Sequence, residues 1–124
     1  MVGAKVPITL KVRNKFDLKG ELFRNIAPYT VKALMKVGRF EGWAVSHDHG
    51  FMLLTDVRAG LEKARKEFKK GEIGFLPING SMWFFVEDVE AERPMSPIGH
   101  IFDLELLESV KRGDYLTLII EEII

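Results

Sequence analysis

The sequence predicts a mainly β protein, a closed antiparallel barrel of about eight strands with two or three short helices. Two observations support this fold class. Apolar and polar residues alternate with a period of two in several segments, and turns containing glycine or asparagine separate these segments. Closing a sheet on itself removes its unpaired edges, so a barrel is the expected arrangement for many short strands.

Three hairpins are expected to form most of the sheet, because in each of them two apolar or alternating runs flank a short turn. Two further strands follow them, and the last is nearly all apolar or β-branched, which predicts that both of its faces are covered. The hairpins span residues 6–22, 40–57 and 72–89, and the later strands span residues 98–102 and 115–124.

The remaining segments are assigned from helix and loop signals. Pro28 suits a first helical position and Gly38 a C-terminal cap, which predicts a helix between them. A second helix is expected over residues 104–111. Residues 61–70 fit a short surface helix and a partly ordered excursion equally well, and residues 90–97 are expected to form a loop.

Composition excludes several classes of protein. The chain has 124 residues, no linker-like segment, no cysteine and a formal net charge of zero, so we expect one domain over residues 1–124 and no nucleic-acid partner. The N-terminal segment has no continuous apolar run, and we expect neither a signal peptide nor a membrane partner. The predicted location is cytoplasmic, no cofactor is expected, and the abundance of charged residues without glutamine resembles a heat-adapted composition.

A histidine pair is the only hint of a metal site. In an extended conformation His47 and His49 would project from one face together with Trp43 and Val45. The candidates for a third and fourth ligand are His100, Asp48, Glu87 and Asp88, and none has a diagnostic spacing from this pair. A polar hairpin tip is the favoured interpretation, and no metal is expected.

No catalytic residue is predicted. The serines lack a nucleophile motif and an acid–base partner. The acidic residues between Glu87 and Glu92 favour a solvated strand end over acid–base chemistry.

An aromatic strand offers the best candidate for a binding site. Trp83 and Phe85 lie on one face of their strand and Met82 and Phe84 on the other, and the sequence leaves open which face is interior. Packing beneath a helix is the favoured fate for most of these side chains, and an apolar groove with a polar rim is the alternative. The candidate groove residues are Trp43, Phe85, Trp83, Met95, Arg93 and Glu87.

One segment resembles a known family. GEIGFLPINGSMWFFVED, followed by IGHIF, the helical run LELLESV and a closing strand, is similar to the cyclophilin-like small prokaryotic proteins. The order of the elements matches loosely from the first strand to the last, although identities are few. The resemblance implies a cyclophilin-like β-barrel in which Phe85 corresponds to a phenylalanine of the proline-binding pocket and residues 40–57 form the adjoining wall.

Departures from the family pattern matter for activity. Cyclophilins carry an arginine and a glutamine on that wall, whereas this chain has no glutamine and no arginine between Arg39 and Arg58. A twisted prolyl amide needs a hydrogen-bond donor, so the losses argue against efficient isomerisation. The tryptophan and histidine expected before IGHIF are also missing.

The sequence therefore supports three hypotheses for the function. The first is binding of a small molecule or an extended peptide in an apolar groove near Phe85, without prolyl isomerase activity. The second is weak isomerisation with Arg39, Arg93 or a histidine as substitute donor. The third is a structural role as a homodimer, suggested by the apolar strand over residues 116–124.

Overall fold

The computed structural model describes residues 3–122. This part of the chain is mainly β, with ten strands and two helices. In chain order they are β1 Lys5–Val12, β2 Phe16–Phe23, α1 Pro28–Val37, β3 Arg39–Trp43, β4 Val45–His47, β5 Gly50–Leu54, β6 Arg65–Phe68, β7 Glu72–Leu76, β8 Ser81–Phe85, β9 Val89–Ile101, α2 Leu104–Glu108 and β10 Tyr115–Ile120.

The strands form one antiparallel sheet that is not closed. Its order is β3-β10-β1-β2-β9-β7-β8-β5-β4, and β6 pairs with β9 alone. The prediction of a closed barrel of about eight strands was wrong in both closure and strand number. The gap lies between β3 and β5. These two strands are neighbours without pairing, as shown by the 3.1 Å that would separate a Cβ at Gly42 from Leu53 Cδ1.

The short strand β4 explains why the sheet stays open. Ala44 separates β3 from β4, and its N–H donates to the Asp114 carbonyl at 2.7 Å, which holds the end of β3 against the start of β10. The chain then crosses to β5, and β4 takes the edge of Gly50–Met52. Because β4 occupies that edge, β3 has no ladder to form there.

The first and third predicted hairpins and the first helix are confirmed, whereas only Val45–His47 of the second hairpin's first strand pairs with β5, because β3 pairs with β10. β1 pairs with β2, β4 with β5, and β7 with β8. Asn14 and Gly80 adopt positive φ angles of 62° and 66° in their turns. Gly38 ends α1 in the left-handed conformation and donates its N–H to the Leu34 carbonyl. Neither helix in the described residues is long and apolar enough to cross a membrane.

Two segment assignments were wrong. Residues 61–70 form no helix, and Arg65–Phe68 is instead strand β6. Residues 90–97 are not a loop but part of the 13-residue strand β9. Both segments are charged and lack a clear period of two, and they become strands because they pair with each other. We call this two-stranded element, β6 with Val89–Met95, the ribbon.

The last strand also differs from the prediction. β10 lies between β1 and β3 and alternates between buried and half-buried residues, so only one face is fully covered. Ile123 and Ile124 lie outside the described residues.

The apolar residues fall into two clusters. The main core lies on one side of the sheet and includes Met82 and Phe84. A second cluster, formed by Phe68, Phe85 and Met95, lies on the opposite side of β8. The second face of β8 is therefore covered by the ribbon rather than by a helix.

Candidate ligand-binding pocket

The second cluster exists because the ribbon lies directly on the sheet. Phe68 stacks on Phe85 with 4.6 Å between ring centroids and 16° between planes. Gly74 of β7 makes room for this contact, since a Cβ there would lie 3.2 Å from two ring atoms of Phe68 and 3.4 Å from Met95 Cβ. Phe85 and Met95 are both buried. One ring face of Phe85 is thus covered by the chain itself.

A pocket of about 290 Å³ opens beside this cluster. Its floor is formed by side chains of β7 and β8, one wall by the turn between β4 and β5, and the other wall by the ribbon. The lining residues are His47, Asp48, His49, Leu76, Trp83, Phe85, Ala91, Glu92, Arg93 and Met95.

His47 forms the aromatic part of the first wall. Its ring stacks on Trp83 at 4.2 Å and meets the edge of Phe85 at 5.5 Å. Burial lowers the pKa of His47 from 6.5 to about 4, although the backbone of Phe51 and Phe84 acts in the opposite direction. The ring is therefore neutral at pH 7. Its Nδ1 accepts the His49 N–H at 3.1 Å, which leaves the proton on Nε2.

Glycine at position 50 lets this turn approach the sheet. A Cβ at Gly50 would lie 2.0 Å from the Phe84 carbonyl oxygen, a contact that a larger residue does not tolerate. The turn is tied down a second time by His49, whose Nδ1 lies 2.7 Å from Glu87 Oε2. Both contacts position His47 over Trp83.

The tryptophan presents an apolar surface to the pocket. The Trp83 indole N–H donates to Ser81 Oγ at 2.7 Å, and that hydroxyl donates to Asn79 Oδ1 at 2.6 Å. Because its single polar group is engaged, Trp83 contributes only its ring to ligand contacts.

Polar groups occupy the rim. Asp48 lies on the turn, and Glu92 and Arg93 lie on the ribbon; all three are exposed. Among residues 3–122 none of the three forms an ion pair. A small pocket with an apolar floor and unpaired charges at its edge is the arrangement typical of ligand sites.

Comparison with solved structures identifies the fold. No protein-family model matches the chain, and no curated protein matches its sequence. The solution structure of a hypothetical protein from Archaeoglobus fulgidus matches with a TM-score of 0.73, 17% identity, and coverage of 95% of this chain and 96% of that one. The crystal structure of the Mimivirus cyclophilin matches with a TM-score of 0.63, 13% identity, and coverage of 94% and 87%. The fold is cyclophilin-like. At these identities the similarity concerns the fold alone.

The cyclophilin-like fold brings four of the predicted groove residues together. Trp83, Phe85, Met95 and Arg93 all line the pocket. Glu87 lies just outside it and contacts His49.

Trp43 is the candidate that lies elsewhere. Its ring packs edge-on against Tyr115 at 4.9 Å, and the residue is 62% exposed. The prediction extended one alternating strand from Trp43 to His47, but the break at Ala44 turns the two side chains to different surfaces.

His100 lies apart from the other two histidines, which both line the pocket. His100 lies on β9, where its Nε2 is 3.0 Å from Glu21 Oε1 and its ring packs against Phe23. Within the described residues no group of three or more histidine, aspartate or glutamate side chains is arranged to hold a metal ion.

Sequence reasoning missed five contributors to this region. Asp48, Leu76, Ala91, Glu92 and Phe68 were not among the candidates for the groove, although Asp48 was considered as a metal ligand and Glu92 as part of an acidic cluster. Leu76 was within reach, because the period of two on β7 places it on the same side of the sheet as Trp83. The contact of Phe68 depends on pairing between distant segments and had no local signal.

Proposed function

We propose that this cyclophilin-like protein binds a small molecule or an extended peptide in the pocket beside Phe85 and does not isomerise prolyl bonds. The observation that carries the proposal is the pocket of about 290 Å³, with its aromatic floor and its unpaired polar rim. This volume suits a single ring system or one or two peptide side chains.

The ribbon supports the second half of the proposal. Phe68 covers one face of Phe85, the residue that resemblance assigns to a proline pocket. A proline ring cannot stack on that face unless the ribbon moves. The chain also lacks glutamine, and it has no arginine between Arg39 and Arg58, where cyclophilins carry these two residues. Both losses argue against isomerisation.

The two tryptophans provide a matched test of ligand binding. Fragments selected by native mass spectrometry are expected to lose at least about fivefold in affinity with Trp83→Ala, because stacking of a planar ring on an aromatic side chain contributes roughly 1–3 kcal/mol. Trp43→Ala removes an identical side chain that lies outside the pocket and is expected to leave affinity unchanged. Equal loss in both variants, or in neither, would contradict the proposal.

Weak prolyl isomerase activity is the second candidate, and one observation favours it. Arg93 lines the same pocket as Phe85, so its guanidinium is a donor within the site. Arg39 is less suited, since it is held by Glu41 at 2.8 Å on β3. A proline-peptide assay at high protein concentration that shows acceleration, lost in Arg93→Met, would support this candidate over simple binding.

A homodimer remains a third proposal. Its motivation is the apolar run over residues 116–124. The part of this run up to Ile120 belongs to β10, which lies within the sheet between β1 and β3. Sedimentation that shows only a monomer would reject it.

A further inference from the structure

We infer that the pocket prefers a cationic ligand group, such as an ammonium, amidinium or guanidinium, over a neutral or anionic group of the same shape. This inference rests on the proposed function, because it concerns the ligand class of the same pocket.

The charges around the pocket favour a cation. Asp48, Glu92 and the adjacent Glu87 contribute three carboxylates, and Arg93 contributes one guanidinium. His49 adds one positive charge or none, depending on its protonation, so the rim carries a net charge of −1 or −2. A cation entering the pocket is attracted in either case, whereas an anion is repelled.

The floor of the pocket offers an anion few donors. The Trp83 N–H is bound to Ser81, and the Nε2 atom of His47 is buried. Aromatic rings present a negative face, which attracts cations and not anions. Among the lining residues, Arg93 is the one side chain with a permanent positive charge. Glu92, its neighbour in the sequence, carries the opposite charge.

The molecule already contains one such arrangement in the same aromatic cluster. The Arg65 guanidinium lies 5.1 Å from the centroid of Phe68, the ring that stacks on Phe85. The same guanidinium contacts Glu72 Oε2 at 2.6 Å. An aromatic ring and a carboxylate together hold a cation at that end of the cluster, and the pocket combines the same two elements at the other end.

Three planar probes of nearly identical shape test the inference. Benzamidine is a cation at pH 7, benzamide is neutral and benzoate is an anion. Titration of the isotope-labelled protein, followed by the NMR signals of the Trp83 indole and the Ala91 amide, gives an affinity for each probe. Benzamidine is expected to bind roughly tenfold more tightly than benzamide, the sum of a modest cation–π and a modest ion-pair contribution. Benzoate is expected to bind most weakly.

Charge variants identify the source of the preference. Combining Asp48→Asn with Glu92→Gln is expected to weaken benzamidine, so that its preference over benzamide falls to about threefold or less. Arg93→Met is expected to increase the preference. Glu105→Gln on α2 removes one negative charge outside the pocket and is expected to leave all three affinities unchanged.

The outcomes separate the two proposals. Binding of benzamide or benzoate as tightly as benzamidine would overturn the cationic preference and leave the pocket as a ligand site. Failure of all three probes to shift any pocket signal at millimolar concentration would overturn both. A preference that Glu105→Gln reduces as much as the rim variants would mean that net charge, and not the pocket, selects the ligand.

Discussion

Removal of the Phe68 ring tests whether the ribbon is held to the sheet by the second cluster. Phe68 is 1% exposed and packs between Phe85 and the backbone at Gly74. Truncation of a buried phenylalanine costs about 3–5 kcal/mol, and this range includes the stacking contact. We expect Phe68→Ala to lower the free energy of unfolding by about 4 kcal/mol, a large part of the ~5–15 kcal/mol typical of a domain.

The assay is urea unfolding followed by tryptophan fluorescence in a Trp43→Phe background, so that Trp83 beside the ribbon is the reporter. Phe68→Leu retains part of the packing and is expected to cost about 1 kcal/mol, which keeps the test informative if the alanine variant does not fold. Lys66→Ala lies on the same strand with an exposed side chain and is expected to change stability by less than about 0.5 kcal/mol. A loss below about 1 kcal/mol in Phe68→Ala would refute the assigned role of this ring.

Three further predictions concern other parts of the molecule. Gly99→Ala is expected to cost at least about 2 kcal/mol in urea unfolding, because its Cβ would lie 2.1 Å from the Glu21 carbonyl oxygen; a loss below 0.5 kcal/mol would contradict this close approach. Between pH 6.5 and about 4 the unfolded chain binds a proton at His47 that the folded chain excludes, so stability falls as pH decreases through this window, by roughly 1–2 kcal/mol after allowance for solvent. His47→Phe is expected to show a shallower decline in acid unfolding scans, and identical slopes would refute the assignment. The Glu62 carboxylate accepts from the backbone N–H of Thr30 at 2.7 Å and from its hydroxyl at 2.8 Å, and so caps the first turn of α1. Glu62→Ala is expected to lower the free energy of unfolding by about 1–2 kcal/mol, measured by thermal unfolding. An unchanged midpoint would show that this cap does not stabilise the protein.

Local signals were sufficient for the parts of the fold that short segments determine. The first and third hairpins and α1 were predicted from turn residues, alternation and caps, because Asn14, Gly38 and Gly80 adopt conformations that their own chemistry favours. The same reasoning placed Trp83 and Phe85 on one face of β8.

Distant pairing determined the parts that were missed. β6 carries mostly charged residues and is a strand only because β9 pairs with it and Phe68 anchors it. The open gap beside β3 depends on the interruption between β3 and β4 at Ala44. Nothing in the sequence around this buried alanine predicts that the strand ends there. The stack of His47 on Trp83 joins two hairpins, so no spacing along the sequence announces it.

Chemical-shift mapping with a library of planar fragments tests the central claim most directly, since it locates binding on the whole surface without assuming a ligand. The pocket account predicts that the largest shifts fall on the Trp83 indole and on the amides of His49, Ala91 and Arg93. Shifts concentrated around the exposed Trp43, or no shift at any site, would contradict the assignment of this pocket as the binding site.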